Sequence, residues 1–384
     1  MLELDLNHDE VQFGTHIKII GVGGAGGNAI GTMIEYKLNG LEFIVANTNI
    51  MDLKKSNAKI KLQLGKEITK GLGAGANPEV GRKAAEESRE DIKNILRDTD
   101  LLFLAAGMGG GTGTGATPAI AALAREMGIL TIGIVSRPFK SEGNKRMLNA
   151  ANGIKKLGEN VDTLIIIPNE KLNEIFPDMT VVEAFKKADD VLYEAAKAIS
   201  DIINFSGYLN VDFADVQTVM QNRGLAMMGS GVGVGEQRAV EAAQKAMNNP
   251  LLSDVSIVNA KGVLINITAA EDFKMDEFDL ITNEIIKQTG DTGDIIYGII
   301  IDESLKDRIK VTLITTGLNS PNATADERET IIHETNDATE GIEDVLKRVR
   351  NAGTLDTSKK AVERSDSFSD RQMEIPAFMR KFSN

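Results

Sequence analysis

In the first half of the chain, mostly apolar runs alternate with longer stretches in which apolar residues recur every three or four positions. The runs at 17–22, 41–46, 101–106, 131–135 and 163–167 are too short for helices and carry no continuous polar face, as expected of strands covered on both sides. Helical spacing occurs at 29–36, from an Asn77–Pro78 start to about 97, and at 116–127. Strands alternating with helices predict a parallel, doubly wound sheet that takes its ligand at the carboxyl ends of the strands.

A capping box at 180–183 opens a longer helical pattern, and Val181, Phe185, Ala188, Leu192, Ala195, Ile199 and Ile202 form its apolar stripe. The pattern then resumes with a short helix after 215, a strand at 224–235, a helix at 238–247, a strand at 262–269, a helix at 275–288 and strands at 294–301 and 308–316. These predict a second, smaller α/β domain with at least one antiparallel pair. Beyond 317 the pattern stops: 320–370 is polar, charged and almost free of aromatics, the composition of a disordered segment. The expected organisation is therefore a ligand-binding domain over 1–178, a central helix over 179–205, a second domain over 206–317, a disordered linker over 318–372 and a closing peptide over 373–384. That peptide is apolar and then basic on a polar tether, the form of a recognition motif.

Composition narrows the choice. With 384 residues, 42% of them hydrophobic, two packed domains are affordable, and the absence of cysteine removes disulfide and thiolate chemistry. A formal charge of −13 argues against broad nucleic-acid binding. The acidic start lacks the blocks of a signal peptide and no run approaches a membrane span, so the expectation is a soluble, cytoplasmic protein. His8, His16 and His333 have no metal-ligand spacing.

The breaks between elements carry the chemistry. Six of the nine residues at 107–115 are glycine, and Thr112 and Thr114 add hydroxyls, between a buried strand and a helix. Free backbone N–H groups and a helix dipole at such a junction make a phosphate cradle. An earlier break has Gly21, Gly23 and Gly26 in the G-x-G-x-x-G spacing of dinucleotide enzymes, but the next strand ends in Asn47, Thr48 and Asn49 instead of a ribose-binding acid. A third break, 71–76, adds further backbone donors. Several phosphate loops suit a mononucleotide triphosphate better than one pyrophosphate. None contains the Gly-Lys-Ser/Thr of a Walker motif, so backbone and metal must carry the charge a lysine would neutralise. Glu142 and Arg146, four apart, would share a helix face as an ion pair. Asn210, Asp212 and Asp215 place two carboxylates and an amide within six residues. They would either cap the helix that follows or orient a water and a metal.

At this point the chain resembles a known family, the FtsZ cell-division GTPases, relatives of tubulin. Residues 109–115 read Gly-Gly-Gly-Thr-Gly-Thr-Gly, which is similar to the tubulin signature. Blocks at 21–28, 71–78, 137–146, 184–190 and 210–216 follow in family order, the similarity runs over about 17–317, and 374–381 resembles the family's tail peptide. The resemblance implies GTP or GDP with Mg²⁺, the metal held mainly by phosphates and water. It implies phosphate contacts from Gly24, Ala25, Gly26, Gly27 and Asn28 and from Gly111, Thr112 and Gly113, with Ala74, Gly75 and Ala76 near the γ-phosphate and Gly23, Gly110 and Thr114 also at the nucleotide. Glu142 and Arg146 would meet the sugar side, Phe185 would stack on guanine, Asn28 and Asp189 would bind its edge, and Asn169 would also contact the nucleotide. Asn210, Asp212 and Asp215 would form a catalytic loop acting on the nucleotide of the next subunit in a head-to-tail polymer. The tail, 373–384, would bind membrane-tethering division proteins at a mid-cell ring. Three positions depart from the usual family residues: Asn49 stands for aspartate, Met51 for glutamine and Ser141 for phenylalanine. The carboxylates at 212 and 215 are intact, so hydrolysis is expected; the alternative is a filament scaffold with weak hydrolysis.

Overall fold

The computed structural model describes residues 15–204, 211–221, 223–252, 257–258, 260–290 and 293–318. Each apolar run of the first half is a strand, and the chain proceeds β1 (Ile17–Val22), α1 (Gly23–Glu35), β2 (Glu42–Asn47), α2 (Ile50–Lys55), β3 (Ile60–Gln63), α3 (Lys66–Thr69), α4 (Pro78–Glu87), α5 (Arg89–Leu96), β4 (Leu101–Gly107), α6 (Thr112–Glu126), β5 (Leu130–Arg137), α7 (Asn144–Gly158), β6 (Thr163–Pro168) and α8 (Asn169–Ile175). These strands pair in parallel in the order β3-β2-β1-β4-β5-β6.

Alternate residues of each strand enter different cores, which is why the runs had no polar face. Ile19, Val45, Phe103 and Ile132 pack on one side with α1; Ile20, Ile44, Leu102 and Leu104 pack on the other with α4, α5 and α6. Phe103 is fully buried, worth roughly 1.5–3 kcal/mol of transfer free energy.

Two helices begin earlier than their apolar spacing indicates, α1 at Gly23 and α6 at Thr112, inside the glycine-rich breaks. The single helix expected from 77 to about 97 is two. Ser88 ends α4 and opens α5, and its buried hydroxyl accepts from Gly65 N at 3.0 Å, a side-chain bond that competes with helical geometry.

The long helix α9 (Val181–Asn204) opens with the expected box: Glu183 N donates to Thr180 Oγ1 and Thr180 N to Glu183 Oε2. Its stripe is shorter than its spacing implies. Ala188, Leu192, Ala195, Ile199 and Ile202 are buried, but Val181 is 74% and Phe185 46% exposed, because the first turns of α9 overhang the end of the sheet. At its other end Asn204 Nδ2 donates to Gly40 O, just before β2, so α9 runs from the carboxyl edge of the sheet to the amino edge. Its 24 residues span about 36 Å.

After α10 (Phe213–Met220), β7 (Gly224–Val234), α11 (Arg238–Met247), β8 (Gly262–Ala269), α12 (Met275–Thr289), β9 (Asp294–Ile301) and β10 (Arg308–Thr316) complete the described chain. The second half does not form a separate sheet. β7 pairs in parallel with β6, from Thr163 opposite Gly224, and continues one 10-stranded sheet through β10 and β8 to β9. The expected antiparallel pairing appears twice, since β10 lies between β7 and β8 and opposes both. Among the described residues, no helix is long and apolar enough to cross a membrane.

Candidate functional site

A cleft of about 480 Å³ opens where β1, β2, β4 and β5 end, lined by Val22, Asn47, Gly107 and Ser136 from those strands. The volume lies in the range of small-molecule sites. One end is built from backbone. Helices α1 and α6 both start here with no side-chain cap and no acidic residue in the first turn. Their first N–H groups lack intrahelical partners, and two helix dipoles direct positive potential into the cleft.

Glycine is needed here for contact between loops. Gly23 has φ +75°, and a Cβ on it would lie 2.9 Å from Gly113 N; a Cβ on Gly111 would lie 2.8 Å from the Ala74 methyl and 2.9 Å from Asn77 N. The three loops thus interlock with no room for side chains. Behind them the hydroxyls of Thr48 and Thr112 are 2.7 Å apart and buried.

The other end is built from side chains. Phe185 stands against Phe139 edge to face, with centroids 5.4 Å apart, and lines the cleft. One turn along α9, Asp189 also lines the cleft. Burial, with help from the adjacent Asp190 charge, raises its pKa to about 7. Asn169, the first residue of α8, is buried at the cleft with its Oδ1 unpartnered, so an acceptor there awaits a ligand donor. Arg146 is tied to Glu142, whose Oε1 also accepts from Phe139 N at 3.0 Å. The pair forms although the two residues lie on different elements, Glu142 in a 3₁₀ turn and Arg146 in α7.

Of the residues singled out from the sequence, Gly24, Ala25, Asn28, Gly110, Gly111, Thr112, Gly113, Glu142, Arg146, Asn169, Phe185 and Asp189 line this cleft. Gly23, Gly26, Gly27, Ala74, Gly75, Ala76 and Thr114 do not. Gly26 packs α1 onto the sheet, where a Cβ would meet Ala105 O at 2.4 Å, and Thr114 Oγ1 accepts from Gly109 N at 2.8 Å. Gly75 and Ala76 are exposed with positive φ. The structure adds Asn47, Asp52 and Ser136; the rule that ligands sit at strand carboxyl ends would have found Asn47 and Ser136, and Asp52 follows one turn into α2.

Asp212 and Asp215 lie elsewhere. They cap α10 reciprocally, Asp215 N donating to Asp212 Oδ1 at 2.9 Å and Asp212 N to Asp215 Oδ2 at 3.2 Å, with both residues exposed. The end of α10 is bound at the amino edge of the sheet, where Thr163 Oγ1 donates to Met220 O and Thr316 Oγ1 to Val219 O. This is the edge opposite the cleft. Asn210 lies outside the described residues, as does everything from 319 onward.

A parallel sheet ending in interlocked glycine loops, with an aromatic ring and a half-buried carboxyl at the far side of one cleft, defines a nucleotide-binding protein of the α/β class. Comparison with known proteins narrows this further. The GTPase domain of the Tubulin/FtsZ family matches residues 16–177, and the C-terminal domain of the FtsZ family matches 224–319. The cell division protein FtsZ of Coxiella burnetii is 47% identical over 383 residues, 95% of this chain and 96% of its own, and that of Pseudomonas aeruginosa is 52% identical over 305 residues, 79% and 77%. Among solved structures, an empty FtsZ dimer from M. jannaschii superposes with a TM-score of 0.77 at 43% identity, covering 80% of this chain and 89% of that one. CetZ2 from Haloferax volcanii shares the fold, with a TM-score of 0.72 at 19% identity over 86% of this chain and all of that one. The chain belongs to the FtsZ family of GTP-dependent cytoskeletal proteins of cell division, and it is a GTPase.

Proposed function

We propose that this GTPase assembles head to tail and hydrolyses GTP at the junctions, the cleft of one copy receiving Asp212 and Asp215 of the next. The observation that carries this is their placement. The cleft lies at the carboxyl edge of the sheet and does not include the carboxylates, and the helix they cap is bound at the amino edge, with α9 running between those edges, so the reading takes them from a second copy. The phosphate end of the cleft is also rimmed by apolar side chains, Leu72 at 85% exposure beside Ile50 and Met51, the kind of surface a partner covers. The M. jannaschii relative is itself described as a dimer.

In this reading the chain divides at α9: 1–178 holds the nucleotide and 206–317 presents the carboxylates. Phe185 stacks on guanine, Asp189 and Asn28 bind its edge, and Glu142, Arg146 and Asn169 meet the sugar. Backbone N–H groups of α1, α6 and the 71–76 loop hold the phosphates. In the hydrolysis step a water oxygen attacks the γ-phosphorus in line as its bond to the β–γ bridging oxygen breaks, giving GDP and phosphate. Capping uses one oxygen of each aspartate, which leaves Asp212 Oδ2 and Asp215 Oδ1 to orient that water and accept its proton. Mg²⁺ would neutralise charge on the phosphates. The oxygen-rich, lysine-free lining suits it, because Mg²⁺ is commonly held by one or two carboxylates with phosphates and water.

Asp212→Ala is expected to bind GTP nearly as wild type and to lose turnover by at least a hundredfold, measured as phosphate release above the assembly concentration; undiminished turnover refutes the composite site. The cap it removes is worth about 1 kcal/mol, so a thermal melt checks that folding survives. Filaments of this kind would form the ring at mid-cell, in the cytoplasm, with 373–384 binding a membrane-tethering division protein. Deleting 373–384 should abolish that binding and spare GTP hydrolysis; binding that survives the deletion removes the peptide from the scheme.

A further inference from the structure

Three carboxylates line the cleft, and they are not in equivalent positions. Glu142 is neutralised by Arg146, and Asp189 stands beside Phe185 on α9. Asp52 is at the other end, on the lining formed with Asn47, Asn49, Gly73 and the glycines of the central loop. Among the described residues, no lysine or arginine pairs with it. Its hydrogen bond within the chain comes from Asn47 Nδ2 to Asp52 Oδ2, at a long 3.3 Å.

A first-turn aspartate often serves its own helix, but that task is already filled. Asn49 caps α2, its Oδ1 accepting from Met51 N at 2.9 Å, and Asn49 N donates to Asn47 Oδ1 rather than to Asp52. Asn47 is 3% exposed and held from both sides of its amide, which fixes the donor that keeps Asp52 at the cleft. An uncompensated carboxylate at the phosphate end opposes a triphosphate unless a cation lies between them. The cradle otherwise offers backbone N–H groups, hydroxyls and the amides of Asn28, Asn47 and Asn49, none of which carries a charge.

We propose that Asp52 is the carboxylate this chain directs at the Mg²⁺ of bound GTP, so that metal and triphosphate bind cooperatively through it. This rests on the reading of the cleft as the GTP site. The same side chain that draws the metal penalises nucleotide without it, which gives the proposal an opposite sign in the two conditions.

The test is equilibrium binding of a non-hydrolysable GTP analogue and of GDP to the full chain, in Mg²⁺ and in EDTA, for wild type, Asp52→Asn and Asp52→Glu. In EDTA, Asp52→Asn should bind the triphosphate about tenfold more tightly than wild type, one charge interaction of about 1.4 kcal/mol. In Mg²⁺ it should gain nothing or bind more weakly, so the enhancement by Mg²⁺ falls at least tenfold, and less for GDP. Asp52→Glu should restore part of the enhancement. Mn²⁺ titration followed by water-proton relaxation should show weaker metal binding to the Asp52→Asn complex. Equal Mg²⁺ enhancement in wild type and Asp52→Asn overturns the proposal while leaving the cleft assignment standing. A wild-type chain that binds no guanine nucleotide in either condition overturns the cleft assignment and the proposal with it.

Discussion

Asp189 offers a quantitative check on how the base is read. Its carboxyl is held with a pKa of about 7 by burial and then by the Asp190 charge, and among the described residues no hydrogen bond within the chain satisfies it. Guanine presents N1–H and a 2-amino group, two donors that a carboxylate accepts and a carboxylic acid meets with only one free acceptor. If binding requires the ionised form, the competent fraction in nucleotide-free protein is roughly 0.1 at pH 6 and 0.9 at pH 8, so affinity should rise about tenfold across that interval. The sign for stability is the reverse. A folded-state pKa above the usual 3.8 means the native chain holds this proton more tightly than the unfolded one. The contribution is complete below that value and is lost as pH rises through about 7. Guanine nucleotide should offset the loss, raising Tm more at pH 8 than at pH 6. Titration calorimetry with GDP from pH 6 to 8, on wild type and Asp189→Asn, measures the effect. Wild-type affinity that is flat over the interval, or an Asp189→Asn variant with the same slope, refutes the assignment.

The glycine loops separate fold from ligand. Gly111→Ala places a methyl against Ala74 and Asn77 backbone and should cost about 1–3 kcal/mol, read as a lower Tm without nucleotide. Gly24→Ala meets nothing within 4 Å and should leave that Tm unchanged, yet weaken GTP binding at least tenfold, because Gly24 faces the cleft; unchanged binding shows that phosphate does not approach this backbone. For the composite site, at a GTP concentration too low to fill the Gly24→Ala cleft, mixing Asp212→Ala with Gly24→Ala should restore turnover that neither shows alone, since intact cleft and intact carboxylates meet at one kind of junction. Failure of the mixture to exceed the sum of its parts counts against the trans arrangement.

Much of the fold could be read from the apolar runs because strands covered on both faces leave a compositional mark. β8 and α11 begin and end where periodicity places them. What escaped was local or long-range. α2, β3 and α3 are four to six residues long and carry charges on several sides, too short to show a period. The true starts of α1 and α6 were hidden because glycine has poor helix propensity, and sheet packing overrides it there. The strand order β7-β10-β8-β9 depends on pairings across tens of residues, which no local pattern encodes. At the site, the glycine loops that meet at the cleft were legible from glycine spacing, but the exposure of Phe185 was not: its position fits the apolar stripe, and only the overhang of α9 past the sheet takes it out of the core.

The opposite placement of cleft and carboxylates has a kinetic corollary. If each junction makes one active site, a row of n molecules holds n − 1 of them and a solitary molecule holds none. Turnover per molecule would then climb from zero towards a ceiling as rows lengthen, and it would report mean length as directly as microscopy. One terminus of every row would expose an unshielded cleft, free to trade its nucleotide with solution, while interior nucleotides wait behind the neighbouring molecule. The row would therefore keep a record of age along its axis, fresh at one tip and spent within.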